Sequence, residues 1–269
     1  MSEAKPSGHE KLRLGGMALR NGLLVHGPTH WAAAIRGKDG RIQVASGRKP
    51  QLGARSLEGV PGLRGVSKLA EAFAVIPAVK RKLPEAGLPM EDAKALGGMA
   101  LAAALSQAIR RGGERTLGRE TAVSVLGLAP ALLVLRGGDI AAYHGVEHKA
   151  IGAYEQGADA AEATKEHDRC GSNLVAPLLA TTTLGSVLAR RAGMRGSTAD
   201  AVAALGGMAI AVEIFAWSER NAATKLARAL KRPGYEIQRL VGTREPTAEQ
   251  LEVGRAALDE ILRVENQPA

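Results

Sequence analysis

Ser172-Asn173-Leu174-Val175-Ala176-Pro177-Leu178-Leu179-Ala180-Thr181-Thr182-Thr183-Leu184-Gly185-Ser186-Val187-Leu188-Ala189 runs for eighteen residues without a charged side chain. Such a stretch approaches the ~20 apolar residues that a helix needs to cross the hydrocarbon of a bilayer, and otherwise belongs in a deeply buried helical core. Three further runs share its character: Leu96 to Ile109, Thr121 to Leu135, and Ala201 to Trp217, the last interrupted only by Glu213. The runs from Leu96 and Thr121 are shorter and Ala-rich, so the spanning length is approached only from Ser172 and Ala201. Basic pairs, Arg110-Arg111, Arg190-Arg191 and Lys231-Arg232, abut the apolar segments, as suits membrane association. Four spans would carry the basic connections 110–120 and 190–200 outward, against the usual charge bias, so fewer spans or re-entrant helices are expected.

The wider composition agrees with a helical core. Apolar residues make up 45% of 269 positions, but only two Phe, three Tyr and two Trp supply aromatic bulk. Ala and Gly dominate, and their small side chains let helices approach closely. Thirty-six Lys and Arg against twenty-seven Asp and Glu leave a formal charge of +9, which draws the chain toward anionic surfaces. Membrane lipid is the expected partner, possible other membrane proteins beside it. Nucleic acid is not expected, because the basic groups are scattered and no aromatic stacking motif accompanies them. A basic RNA-binding protein is the third-ranked reading, and it predicts steep salt dependence. The lone Cys170 excludes an intramolecular disulfide, and Met1 to Arg13 lacks the apolar run of a secretion signal, so the N-terminal part is expected in the cytoplasm and the whole at the cytoplasmic membrane.

Four regions follow. Residues 1–11 are polar and expected to be disordered. In 12–90, Trp31-Ala32-Ala33-Ala34-Ile35-Arg36 and Arg41-Ile42-Gln43-Val44 flank Gly37-Lys38-Asp39-Gly40, whose Asp-Gly step suits a hairpin turn, so a small β unit is predicted. His26 and His30 flank Pro28 and read as solvated loop residues. Val66, Leu69, Phe73 and Ile76 recur at helical spacing, predicting an amphipathic helix over 63–76 that Pro77 ends or kinks and that packs on the hairpin. Residues 91–232 form the apolar helical core. Residues 233–269 read as a soluble appendage with a capping box, Thr247-Ala248-Glu249-Gln250, and a Leu251, Leu258, Ile261, Leu262 stripe. The fold class is thus mainly α: a membrane-associated helical bundle with a small N-terminal β unit.

Chemistry concentrates in Tyr143-His144-Gly145-Val146-Glu147-His148-Lys149. His-x-x-Glu-His sets two imidazoles one helical turn apart, able to grip one divalent ion through neutral ring nitrogens. After nineteen residues comes His167-Asp168-Arg169-Cys170, which offers one further ligand, leaving an open catalytic site, or two, closing a structural one. The expected cofactor is a divalent metal, zinc by ligand type, with Glu147 as general base toward its water. Glu155 and Glu213 are spare ligands or orienting groups. Glu213 lies sixty-five residues beyond His148, where inverted-motif peptidases carry a third ligand, or it sits at a helix end near Ser218 and Arg220. Lys149, Arg169 and Arg244 are candidates for holding an anion. Set against the metal are ordinary hydrogen-bonded core histidines and a buried thiol.

Several segments together resemble the YqhQ-like family, an uncharacterised bacterial family with a domain of unknown function, often labelled a metal-dependent enzyme. They are Gly15-Gly16-Met17-Ala18 with Gly22 and Gly27, Pro61-Gly62-Leu63-Arg64-Gly65, the His-x-x-Glu-His stretch, Ala153-Tyr154-Glu155, His167 with Arg169-Cys170-Gly171-Ser172, and Thr243-Arg244-Glu245-Pro246. The resemblance implies a membrane-embedded centre of several helices and points to the same His, Glu and Cys positions. The apolar runs here are shorter and richer in Ala and Gly than is usual for that family. Metal-dependent hydrolysis is the enzyme class that the constellation fits, and a non-catalytic membrane scaffold is the rival.

Overall fold

Leu23 and Val25 face one way from their strand and Leu24 the other, yet all three are fully buried, so the small sheet is covered on both sides. The computed structural model describes residues 11–50, 63–91, 93–114, 116–136, 138–194 and 196–266. The tail expected to be disordered lies, as far as residue 10, outside these residues, as does Pro61-Gly62. Four strands, β1 (Gly15–Leu19), β2 (Gly22–His26), β3 (His30–Arg36) and β4 (Ile42–Arg48), pair antiparallel in sequence order. The hairpin read at Asp39-Gly40 is there: Gly40 takes φ +79, and Asp39 Oδ1 accepts from Arg41 N at 3.1 Å. The sheet is larger than the hairpin, because the two preceding Gly-bounded runs pair with it through Met17 opposite Leu24 and Val25 opposite Ala32.

The amphipathic segment before Pro77 breaks into α1 (Leu63–Ala74) and α2 (Ile76–Lys82). The break follows from the ring of Pro77, which is accommodated without cost in the first turn of a new helix. Only α2 does what was expected of the whole, setting Val79, with Val75 and Leu83 at its ends, on Leu24, Trp31 and Ile35. α1 packs on a helix of the apolar core and leaves Leu69 and Phe73 exposed.

That core consists of α3 (Ala93–Arg111), α4 (Leu117–Leu135), α6 (Val175–Arg191) and α7 (Gly196–Arg220), with α5 (Gly138–Gln156) between the two pairs. α3 with α4 and α6 with α7 form helical hairpins, and α4 also packs on α6. Glycine permits the closest approach: a Cβ on Gly207 of α7 would stand 2.8 Å from the Thr182 methyl of α6. Among the described residues, three helices are long and apolar enough to cross a membrane: Leu117–Leu135, Gly171–Arg191 and Thr198–Arg220. The run from Thr121 therefore reaches spanning length, because its helix begins four residues earlier under the Thr116 cap. Leu133, Leu184, Leu188, Leu205 and Ile210 point outward, each more than half exposed.

The troublesome basic connections meet at one end of the hairpins, where their charge is matched internally. Arg110 pairs with Glu120 at 3.2 Å and Asp200 at 3.4 Å, and Arg190 pairs with Asp200 at 3.4 Å. Ser186 Oγ donates to Glu120 Oε2 at 2.8 Å. At the other end, α8 (Lys225–Ile237) leads through a π-turn, Gln238–Gly242, to α9 (Ala248–Glu265), whose Thr247–Gln250 capping box forms as read. α9 is no appendage. Its Val253, Ala257, Ile261 and Val264 pack on the Leu23, Val25, Ala32 and Ala34 face of the sheet and on Val146 of α5, closing the main core.

Candidate metal centre

α5 is buried along almost its whole length, which places its polar residues where each must find a partner. His144 and His148, one turn apart, lie with ring centroids 4.4 Å from each other and their planes tilted by 59°. Each ring is fixed from behind by a backbone carbonyl: His144 Nδ1 lies 2.7 Å from Gly242 O, and His148 Nδ1 lies 2.6 Å from Lys165 O. A carbonyl only accepts, so both Nδ1 atoms carry the proton and both Nε2 atoms present lone pairs. His144 Nε2 stands 3.3 Å from Cys170 Sγ, and His148 Nε2 is buried with no hydrogen-bond partner. Donor atoms of His144, His148 and Cys170 all lie within 4.8 Å of one another. Tetrahedral zinc with N and S ligands needs donor separations of about 3.5 Å. The donor set fits a divalent metal, and the orphaned nitrogen of His148 has no other evident use.

Burial governs the protonation of this group. It holds the His148 ring well below its usual pKa, aided by His144, and pushes the Cys170 thiol up. Glu147 is raised to about 7 by burial, opposed by His144 and by a hydrogen bond from the Ala18 amide. Its side chain lies against β1, where a Cβ on Gly16 would come within 2.7 Å of Glu147 Cγ. Gly16 thus makes room for the carboxylate.

His167 matches the ligand type but stands beside the donor set. Its Nδ1 accepts from Arg169 N at 3.3 Å and its Nε2 meets Glu155 Oε2 at 3.1 Å, so both nitrogens are engaged. Glu155 also pairs with Arg169. Lys149, a candidate for anion binding, is buried and donates to Ala161 O at 3.1 Å and Ala163 O at 2.7 Å, with Glu245 Oε1 at 2.7 Å. It pins the loop before the cysteine to α5. Arg244 is exposed, and its backbone does the closer work: Arg244 N donates to Ala141 O, while Arg244 O lies where a Cβ on Gly145 would be 2.2 Å away. Glu213 lines an apolar cleft between α7 and α8 and is not among the gathered donors.

Four residues act through the backbone, were not singled out, or were read differently. The carbonyls of Lys165 and Gly242 are backbone groups, invisible to residue type. Gln238, fully buried, accepts from His167 N at 2.8 Å and donates to Ser172 Oγ at 2.9 Å, locking the π-turn to the cysteine loop. His26 is the correction: it ends β2 in the core, with neither ring nitrogen bonded, and burial lowers its pKa to about 4. A polar cavity of about 270 Å³ borders the centre, lined by His148, Glu155, Glu166, His167, Asp168 and Tyr235 among others.

Residues 136–264, from the start of α5 to the end of α9, match the model of a protein family of unknown function (DUF1385). No curated protein and no solved structure matches the chain. The family match includes all three converging donors.

Proposed function

We propose that this chain is a YqhQ-like, zinc-dependent hydrolase anchored in the cytoplasmic membrane with its N-terminal part on the cytoplasmic side. The observation that carries the reading is the convergence of His144 Nε2, His148 Nε2 and Cys170 Sγ, with both imidazoles oriented by backbone carbonyls. A divalent ion held there by His144, His148 and Cys170 would leave an open position and would supply Lewis acidity that makes a water there a readier proton donor. Glu147, whose carboxyl titrates near neutrality, is suited to take up that proton and return it to a leaving group. Glu155 orients His167 at the rim of the polar cavity, which serves as the substrate entrance.

The test is metal content by mass spectrometry on the detergent-purified chain. About one zinc per chain is expected, lost in His144→Ala/His148→Ala and in Cys170→Ala. Metal-free, well-folded wild type overturns the reading. With metal confirmed, Glu147→Gln should keep the ion and abolish turnover in a panel of ester, amide and phosphoester substrates.

A second reading, a metal-pinned scaffold, is favoured by one specific arrangement. The centre ties α5, the 165–170 loop and the Gln238–Gly242 turn together through His148, His144 and Cys170. It predicts a chelator-sensitive melting temperature and no turnover in wild type or Glu147→Gln.

A further inference from the structure

Residues 11–13 cross the last turn of α5, where Leu12 N donates to the Tyr154 hydroxyl at 3.0 Å and Lys11 Nζ to Glu155 O at 3.1 Å. This crossing brings Lys11 and Arg13 together with Arg169 and Arg220, and the four cations line one pocket of about 470 Å³ with Glu155 and Glu219. The volume lies in the range of small-molecule sites. Both carboxylates are committed elsewhere: Glu155 pairs with Arg169 and meets His167 Nε2 at 3.1 Å, and Glu219 pairs with Lys231 of α8 at 2.5 Å. Lys11 is spent on the carbonyl of Glu155. Arg13 and Arg220 are exposed and reach no carboxylate among the described residues, and Arg13 repels the guanidinium of Arg169.

Three guanidiniums around one pocket hold more positive charge than the protein offsets there, and a bound anion removes the repulsion between them. Guanidinium groups grip oxyanions through paired N–H donors. A carboxylate presents two oxygens to such donors, whereas a terminal phosphate presents three and serves three arginines at once. The place in the fold agrees with this chemistry. Arg220 is the last residue of the candidate span Thr198–Arg220, and Arg169 stands two residues before the candidate span Gly171–Arg191. The pocket therefore opens where two spans leave the hydrocarbon, the level at which basic pockets between membrane helices meet phosphorylated headgroups.

We propose that Arg13, Arg169 and Arg220 form a binding site for a terminal phosphate group, carried by a lipid headgroup or free in solution. The site does not depend on the metal. It adjoins the metal centre all the same, because Glu155 is the wall shared with the polar cavity beside His148, and Arg169 immediately precedes Cys170.

The test treats the full wild-type chain in detergent micelles with phenylglyoxal, which modifies arginine, and maps the products by peptide mass spectrometry at constant ionic strength. One arm adds inorganic phosphate and the other adds phosphatidic acid to the micelles. Modification of Arg13 and Arg220 should be lost in at least one arm, while Arg228 and Arg232, exposed on α8 and outside the pocket, stay reactive. Protection by phosphate marks a soluble source and protection by phosphatidic acid a lipid source, and either supports the site. Arg13→Gln/Arg220→Gln, at exposed positions, should then weaken binding of the protecting probe by at least about tenfold in calorimetry, and Arg228→Gln/Arg232→Gln should leave it unchanged. Protection absent from both arms, protection equal at all four arginines, or an affinity unchanged in the pocket variant overturns the site.

Discussion

His144 Nε2 faces Cys170 Sγ across 3.3 Å, while the opposite nitrogen of the same ring is held by Gly242 O. The separation lies near the donor spacing of a tetrahedral ion and leaves the imidazole no alternative orientation. Losing an orienting partner alone weakens metal sites 10–100-fold, so losing a ligand should cost more. Cys170→Ser is therefore expected to weaken zinc binding by at least about tenfold in competition with a chromophoric chelator. His167→Ala, which removes a ring whose nitrogens are both occupied elsewhere, should change zinc affinity much less.

Gly145 sits between the two metal-site positions His144 and His148 because the chain from Thr243 to Pro246 crosses α5 there. Gly145→Ala would drive a methyl group into Arg244 O and should cost about 3 kcal/mol, read as a lowered melting temperature in detergent. Gly152→Ala is the control. Its added carbon would meet only His167 Cδ2 at 3.7 Å, and the helix gains about 1 kcal/mol of propensity.

Acid should destabilise the head of the molecule through His26. The unfolded residue takes up a proton below its ordinary 6.5, whereas the buried ring resists until about 4. Across that window the unfolded chain binds more protons, so stability falls as the pH falls, by about 3 kcal/mol in all for this group. His26→Leu should flatten this part of the profile in chemical denaturation measured between these two values.

Glu120 is almost fully buried between Arg110 and Ser186. Glu120→Ala leaves the guanidinium to Asp200 alone, removes the acceptor of Ser186, and should destabilise the hairpin pair by about 3 kcal/mol. Glu120→Gln, which still accepts from Ser186, should lose less. Thermal unfolding in detergent with a tryptophan readout distinguishes the two.

Much of this was legible because it follows from period and residue type. The uncharged runs announce the helices, Asp39-Gly40 announces the hairpin, and the four-residue spacing of His144 and His148 puts both on one helical face. Cys170 was legible as a ligand type, but so was His167. Only the hydrogen bonds from Arg169 N and to Glu155 separate them, and such bonds depend on a loop path that residue type does not encode. His26 was misjudged from its neighbour Pro28, although the strand residues before it carry the chain into the core. The role of α9 was hidden for a related reason. Its apolar stripe was evident, but nothing local names a sheet made more than two hundred residues earlier as its partner.

That last pairing has a consequence for biogenesis. The inner face of the sheet, completed by Arg48, is covered by a helix that does not exist until residues 248–265 have been translated. Between the two events the apolar hairpins must emerge. The nascent chain therefore carries an uncapped, aggregation-prone strand surface throughout that interval, and contacts so distant in sequence close slowly. Closure of the sheet waits for these residues, which makes a product truncated before them unable to bury it.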